Sequence, residues 1–174
     1  MFGTRHLSKS ELAKIEIDPA IGCVVVGIDE QFTYTKAAYA VACLTSLKDN
    51  STDDYRSIFV STNQDSNLPT GGHSLPGAGS VVSMIATASS RTPINIGKPE
   101  SHIMDLAIAE CQLDPSRVLM VGDRLDTDIL FGEKCKVDTL FVTKTGINKR
   151  QDMDKLNIYP HYFADNVACM VGKE

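Results

Sequence analysis

Three carboxylates follow one apolar segment of the sequence. No other part of the sequence places so many charged side chains at the predicted end of a buried strand. The segment covers residues 118–121, and Gly122 separates it from Asp123, Asp126 and Asp128. Its apolar, β-branched character predicts a short buried strand that is followed by a sharp turn and a helix. Ligands of open α/β sheets bind beyond the carboxyl ends of the strands, so this turn is predicted to be a binding site.

The three carboxylates differ in the chemistry that their positions allow. Asp123 stands at the strand end, where a carboxylate oxygen can ligate a hard cation such as Mg²⁺. Asp128 falls near the first turn of the helix, where it can accept hydrogen bonds from metal-bound water or from a lysine. Asp126 and Asp128 have a second interpretation, since both could simply cap the helix and complement its dipole. Capping is the favoured role for Asp126, and metal ligation is the favoured role for Asp123.

Lys98 is the candidate cation of the same site. It lies between Gly97 and Pro99, just before a helix that Ser101 is predicted to cap. A fixed ammonium group there can neutralise a phosphoryl group. Considered alone, Lys98 would be interpreted as a surface lysine. One helix and one strand connect it to Asp123, however, and this connection favours a phosphate-binding role.

The remaining patterns predict an α/β chain. Residues 23–28 form a β-branched strand, Thr33 or Thr35 caps a helix that runs to about Leu47, and residues 57–60 form the next strand. A strand, a helix and a strand in this order predict the crossover unit of a parallel sheet. Further strands are predicted at residues 95–97, 118–121, 139–142 and 161–163, and further helices at 81–88, 101–112 and 127–134, with a closing helix in the tail.

Three local expectations accompany this pattern. Ser8 and Glu11 have the spacing that starts a short helical turn. Residues 63–79, which are rich in Gly and Pro, are predicted to form a long irregular loop of the kind that often carries function. The helix at 101–112 is expected to turn its apolar side chains inward, namely Ile103, Leu106 and Ala107.

Composition narrows the class of protein. The chain has 174 residues and a net charge of -5, which disfavours a nucleic-acid partner. Its five cysteines are scattered and form no C-x-x-C pair, so they are interpreted as small buried hydrophobes in a reducing compartment.

The first residues lack the apolar core of a secretory signal, and Glu11 and Glu16 disfavour a mitochondrial presequence. The longest apolar run, residues 21–28, is too short to span a bilayer. We therefore expect a cytoplasmic protein that binds neither nucleic acid nor membrane.

The two charged motifs together resemble a known family. Gly97-Lys98-Pro99, followed by the run from Gly122 to Ile129, resembles the third and fourth motifs of the haloacid-dehalogenase-like (HAD) phosphatases. The residues of the run from Gly122 to Ile129 are similar to those in the branch of the family that carries a large α/β cap. This branch includes phosphoglycolate and 4-nitrophenyl phosphatases. The resemblance covers about residues 17–174, because residues 59–63, 68–69 and 76–79 are similar to the closing part of that cap.

The resemblance implies a role for each candidate residue. Asp123 would be a Mg²⁺ ligand, Asp128 a supporting catalytic acid, and Lys98 a catalytic residue that holds the transferring phosphate and the nucleophile. Residues 63–79, with Asn63 and Leu68 as substrate contacts, would select a small phosphorylated metabolite such as 2-phosphoglycolate. Pyridoxal-phosphate phosphatases of this branch carry a histidine where this chain has Leu68, which disfavours that substrate. His73 lies close by in the sequence, but it is interpreted as a solvent-exposed loop residue and not as a substitute for that histidine.

The resemblance also implies a fold and a departure from it. After a flexible lead-in at residues 1–16, residues 17–93 would form the second half of a cap that can pair into a homodimer. Residues 94–174 would form the C-terminal half of a Rossmann-like parallel core sheet. Family members begin with a strand that ends in Asp-x-Asp-Gly, whose first Asp attacks phosphorus and whose second is the general acid and base. This sequence contains no such motif, and Ser61-Thr62-Asn63 only mimics the second family motif in composition.

We therefore interpret the chain as the C-terminal portion of a phosphatase, with an incomplete core and no activity by itself. One alternative is a non-catalytic protein that binds a phosphorylated ligand or regulates a full-length phosphatase. Another is a receiver domain of the response-regulator type, which shares the α/β class and the acidic cluster. The receiver interpretation is weaker, because it needs a lysine downstream of the acidic strand end and Lys98 lies upstream.

Overall fold

The computed structural model describes residues 6–47, 54–69, 72–144, 146 and 148–171. The chain divides into two compact units, Met1–Asn95 (unit 1) and Ile96–Glu174 (unit 2). Both units are of the α/β class that the sequence predicts, and each contains a three-stranded parallel sheet. In these ranges every helix is too short or too polar to cross a lipid bilayer.

Unit 1 opens with a capped helical turn and then alternates strands with helices. The predicted helical start at Ser8 is confirmed, since the Ser8 and Glu11 side chains form a reciprocal capping box. Residues 1–5 of the predicted lead-in lie outside the described residues. The elements in chain order are α1 (Lys9–Leu12), β1 (Cys23–Val26), α2 (Tyr34–Thr45), β2 (Ile58–Ser61), β3 (Asn67–Pro69), β4 (Ser74–Pro76), α3 (Ala78–Ser89) and β5 (Ile94–Asn95).

The predicted parallel crossover in unit 1 is confirmed. Strands β1 and β2 pair in parallel, and β5 pairs in parallel with the other side of β2. Thr33 is the residue that caps α2, because its side chain accepts the N–H of Lys36 at 3.2 Å. Thr35, the other candidate, is buried and accepts the N–H of Leu7 at 3.1 Å instead.

The core of unit 1 lies on one face of this sheet. It consists of apolar side chains from β1, β2, α2 and α3, namely Val26, Phe59, Leu44, Val82 and Ile85. The opposite face is open in the described residues, since Val25, Ile58 and Ile94 are each more than half exposed. The predicted irregular loop at residues 63–79 is only partly irregular. Strands β3 and β4 pair within it as an antiparallel hairpin, with Leu68 opposite Leu75.

Unit 2 is built on the strand order β6–β7–β8. Its buried cluster lies between β7 and the turn that follows β6, and it contains Leu125, Ile129, Phe141 and Ile158. In place of the predicted closing helix, the chain forms one 3₁₀ turn at Val167–Met170. The other elements are α4 (His102–Cys111), β6 (Leu119–Gly122), a π-helical turn (Leu125–Ile129), α5 (Leu130–Cys135), β7 (Asp138–Val142), α6 (Asp152–Leu156) and β8 (Tyr162–Ala164).

The inward face that the sequence predicts for α4 is wrong for this chain. Ile103 is 54% exposed, Leu106 is 61% exposed, and no residue of α4 is buried among the described residues. Helical spacing marks an apolar face, but it does not say whether a surface is present to cover that face. In unit 2 the sheet ends at β6, so the described chain supplies no further strand on that side.

Two isoleucines of unit 1 test where its core lies. We expect Ile85→Ala to lower the free energy of unfolding by about 2–5 kcal/mol, because it leaves a cavity among buried side chains. Ile94→Ala, at an exposed strand position, is expected to cost less than about 1 kcal/mol. Urea denaturation of the full chain measures both changes. Equal losses in the two variants would contradict the placement of the core.

Candidate metal and phosphate site

Strand β6 places the run from Gly122 to Ile129, called the acidic turn below, at the carboxyl end of the unit 2 sheet. It pairs in parallel with β7, and Gly122 lies opposite the fully buried Phe141. A β-carbon at Gly122 would overlap the side chain of Asp128. Glycine is therefore required at this strand end so that the Asp128 carboxylate can fold back against the backbone.

Asp128 is the buried centre of the site, with 6% of its surface exposed. One carboxylate oxygen, Oδ2, accepts the backbone N–H groups of Asp123 and Arg124, each at 3.1 Å. The other, Oδ1, accepts the Lys98 ammonium at 2.5 Å. The sequence-based expectation that Asp128 can bind a lysine is confirmed. Because protein donors engage both oxygens, Asp128 acts in this arrangement as a connector between Lys98 and the strand end.

Lys98 reaches Asp128 from the segment that precedes α4. Its side chain remains 47% exposed, so solvent screening weakens the attraction between the two charges. An ammonium group has three donors, and the bond to Asp128 uses one of them. The exposed part of the group can therefore bind an anion while Asp128 fixes its direction.

A π-helical turn shapes the acidic segment and was not predicted from the sequence. The N–H of Ile129 donates to the carbonyl of Arg124 at 3.1 Å, which closes a turn one residue wider than that of an α-helix. Such wide turns are frequent at functional sites. Leu125 and Ile129 anchor this turn, since both are fully buried in the core of unit 2.

The predicted capping role of Asp126 is wrong, and Asp128 performs that role instead. The side chain of Asp126 forms an ion pair with Arg124 at 3.1 Å and is 49% exposed. The wide turn explains why the two roles are reversed, because it rotates Asp126 towards solvent and Asp128 towards the backbone N–H groups of Asp123 and Arg124. Asp126 is therefore a surface residue of this turn.

Asp123 fits a magnesium ion as one ligand of a larger set. It stands directly after β6, its side chain is partly exposed, and its carboxylate is the ligand type that Mg²⁺ prefers. In the described ranges, no three His, Cys, Asp or Glu side chains come together as a metal-binding group. Mg²⁺ commonly binds through one or two carboxylates and fills its other positions with water and substrate phosphate, so Asp123 is a suitable partial site.

The predicted substrate contacts belong to unit 1, and their roles stay predictions. The Asn63 side chain accepts the N–H of Asp65 at 3.1 Å, which closes a local turn. Leu68 lies on β3 and is 43% exposed. His73 is exposed in the hairpin segment, as the sequence indicated.

The segment after β7 supports the acidic turn, and this role was not predicted from the sequence. The Asn148 side chain accepts the N–H of Leu125 at 3.0 Å. A β-carbon at Gly146 would overlap the backbone carbonyl of Asp123. The signal was available, because the strand-end rule that identified Asp123 applies equally to the end of the neighbouring parallel strand.

Several known phosphatases are similar to this chain in sequence and fold. A profile of the family described as HAD-hydrolase-like matches residues 95–170. The glycerol-3-phosphate phosphatase of Gallus gallus is 37% identical over 93% of this chain, and phosphoglycolate phosphatase 2 of Arabidopsis thaliana is 36% identical over 90%. The solved p-nitrophenyl phosphatase of Archaeoglobus fulgidus is 26% identical over 86% of the chain, with a TM-score of 0.72.

The family profile covers most of unit 2, which holds the candidate site. The matched residues, 95–170, hold both Lys98 and the Asp128 carboxylate that binds it, and their profile match is to the HAD-hydrolase-like family. The chain as a whole is related to HAD-like phosphatases, which confirms the resemblance of its motifs. It spans 53% and 50% of the two curated relatives and 55% of the solved structure, about half of each.

The two carboxylates after Asp123 allow a matched test of the site. Asp128→Asn removes the charge and turns an amide N–H₂ group towards donors, so we expect unit 2 to lose about 1–3 kcal/mol of stability. Asp126→Asn, the same change on an exposed side chain, should alter stability by less than about 0.5 kcal/mol. Urea denaturation, followed through hydrogen exchange at core amides of unit 2, measures both. Similar losses would show that Asp128 does not organise the turn.

Proposed function

We propose that this chain provides the magnesium- and phosphate-binding part of a phosphomonoester hydrolase site for small phosphorylated metabolites. The observation that carries this proposal is the connection of Lys98 to Asp123 through the buried Asp128 carboxylate, all within unit 2. The names of the relatives support the substrate class, since they are phosphatases of glycerol 3-phosphate and phosphoglycolate. A compound such as 2-phosphoglycolate is the substrate that we propose, in a cytoplasmic setting.

Each residue of the connected group has a separate task in this proposal. Asp123 supplies a carboxylate oxygen to Mg²⁺, and the bound ion supplies positive charge that offsets the charge on phosphoryl oxygens. The exposed donors of Lys98 bind the phosphate. Asp128 holds the Lys98 ammonium and the backbone of Asp123 in one geometry, which would keep the ammonium near the carboxylate that holds the ion. Asn63 and Leu68 are proposed to contact the rest of the substrate.

The nucleophile is proposed to come from outside these 174 residues. Transfer through an aspartyl-phosphate needs a carboxylate that attacks phosphorus, and the sequence contains no Asp-x-Asp-Gly motif. The nucleophile oxygen would form a bond to phosphorus as the ester oxygen leaves, with Lys98 beside the transferring group. We therefore propose that this chain by itself binds phosphate but does not turn over a substrate.

A second candidate function follows from exposed apolar surface. In unit 2 the strand β6 ends the sheet, and Ile103 and Leu106 of α4 are more than half exposed. Such surface favours a non-catalytic role in which the chain associates with another phosphatase polypeptide and regulates or completes it. Pairing of two copies through unit 1 is the related homodimer proposal, and the open sheet face around Val25 and Ile94 supports it.

Metal binding tests the proposed function directly. We expect Mg²⁺ to bind the full chain and Asp123→Asn to weaken that binding at least about tenfold, because the change removes a charged oxygen ligand. Asp126→Asn is the matched control and should leave the affinity unchanged, since its side chain pairs with Arg124 on the surface. Isothermal titration calorimetry with Mg²⁺ measures all three proteins. Binding that is absent, or that Asp126→Asn weakens as much as Asp123→Asn, would contradict the proposal.

A further inference from the structure

We infer that Asn148 is a positioning residue for the acidic turn. The expected effect of Asn148 on Mg²⁺ binding rests on the proposed function. The side chain of Asn148 is partly exposed, and its oxygen accepts the N–H of Leu125 at 3.0 Å. Leu125 is the first residue of the π-helical turn. The bond therefore joins the segment after β7 to the start of the turn that carries Asp126 and Asp128.

Asn148 completes the capping of three successive backbone donors. The N–H groups at the start of a helical turn have no partner within the turn itself. At this site the carboxylate of Asp128 accepts two of them, from Asp123 and Arg124, and the amide oxygen of Asn148 accepts the next, from Leu125. The backbone that presents the Asp123 carboxylate is thus fixed from two sides by two different side chains.

Gly146 brings the same segment against Asp123 itself. A β-carbon at residue 146 would overlap the Asp123 carbonyl and approach the Asp123 β-carbon at 2.8 Å, so only glycine allows this contact. Gly146 and Asn148 therefore meet the turn at two successive points. A shift of this segment would move the Asp123 side chain, which is the proposed metal ligand.

Described residues on both sides of Asn148 form hydrogen bonds with other parts of unit 2. On one side, the N–H of Lys144 donates to the carbonyl of Asp165 at 2.9 Å beyond β8. On the other side, the N–H of Lys149 donates to the Asp152 carboxylate at 2.8 Å, and the Lys149 ammonium reaches the carbonyl of Gly146 at 3.2 Å. The bonds from Lys149 and Lys155 hold the pKa of Asp152 below its usual range. Lys144 and Lys149, which lie on either side of Asn148 in the sequence, are therefore each bonded to a neighbouring part of unit 2.

Three variants of the full chain test this inference. Asn148→Ala removes the acceptor, and we expect Mg²⁺ affinity to fall about tenfold with faster hydrogen exchange confined to residues 123–125. Asn148→Asp keeps an acceptor oxygen of the same shape and is expected to restore slow exchange and most of the affinity. Asn166→Ala is the matched control, because Asn166 likewise caps a backbone N–H in unit 2, that of Ala168 at 2.8 Å in the 3₁₀ turn after β8. It should leave both readouts unchanged.

The two readouts separate this inference from the proposed function. If the unsubstituted chain binds no Mg²⁺, the proposed function fails, and the exchange of residues 123–125 still decides whether Asn148 holds the turn. Unchanged exchange in Asn148→Ala would overturn the inference. Faster exchange throughout unit 2, or an equal loss of Mg²⁺ affinity in Asn166→Ala, would show only general destabilisation and would also overturn it.

Discussion

Asp128 is a buried carboxylate that meets an ammonium group on one oxygen and two backbone N–H groups on the other. A buried charge is unfavourable unless it is paired and fully hydrogen-bonded, and here the surroundings provide both. The absence of a side chain at Gly122 makes room for it, and the wide turn after β6 directs it inwards. Lys98, Asp123 and Arg124 thereby acquire fixed relative positions. The other features of the site, including the support from Asn148, preserve the backbone geometry on which this carboxylate depends.

The elements that the sequence predicted well are those whose physics is local. β-branched runs marked β1, β2 and β7, and the pattern of residues 118–128 placed Asp123 and Asp128 just after β6, at the carboxyl end of a strand. The capping box at Ser8 was also evident, since all of its partners lie within one turn. These features need no knowledge of distant residues, which is why residue type and spacing are sufficient to predict them.

The features that were missed depend on contacts between distant parts of the chain. The π-helical turn adds one residue to an ordinary turn, and the buried positions of Leu125 and Ile129 stabilise it. The roles of Asp126 and Asp128 could not be separated without that turn. The apolar face of α4 had the spacing of a buried helix, but spacing does not report whether a covering surface exists. The strand-end rule could have indicated the segment after β7, but the particular contact of Asn148 with Leu125 joins two loops across neighbouring strands, and no local pattern reveals that pairing.

We propose that these residues bind phosphate with Mg²⁺ but lack the nucleophile that would turn a substrate over. Incubation of the purified full chain with 4-nitrophenyl phosphate and Mg²⁺ tests this most directly, with binding of inorganic phosphate measured in parallel. We expect phosphate binding that requires Mg²⁺ and is lost in Lys98→Met, together with no release of 4-nitrophenol above the protein-free rate. Hydrolysis by the unsubstituted chain that disappears in Asp123→Asn would contradict the account, because it would place a complete catalytic site within these 174 residues.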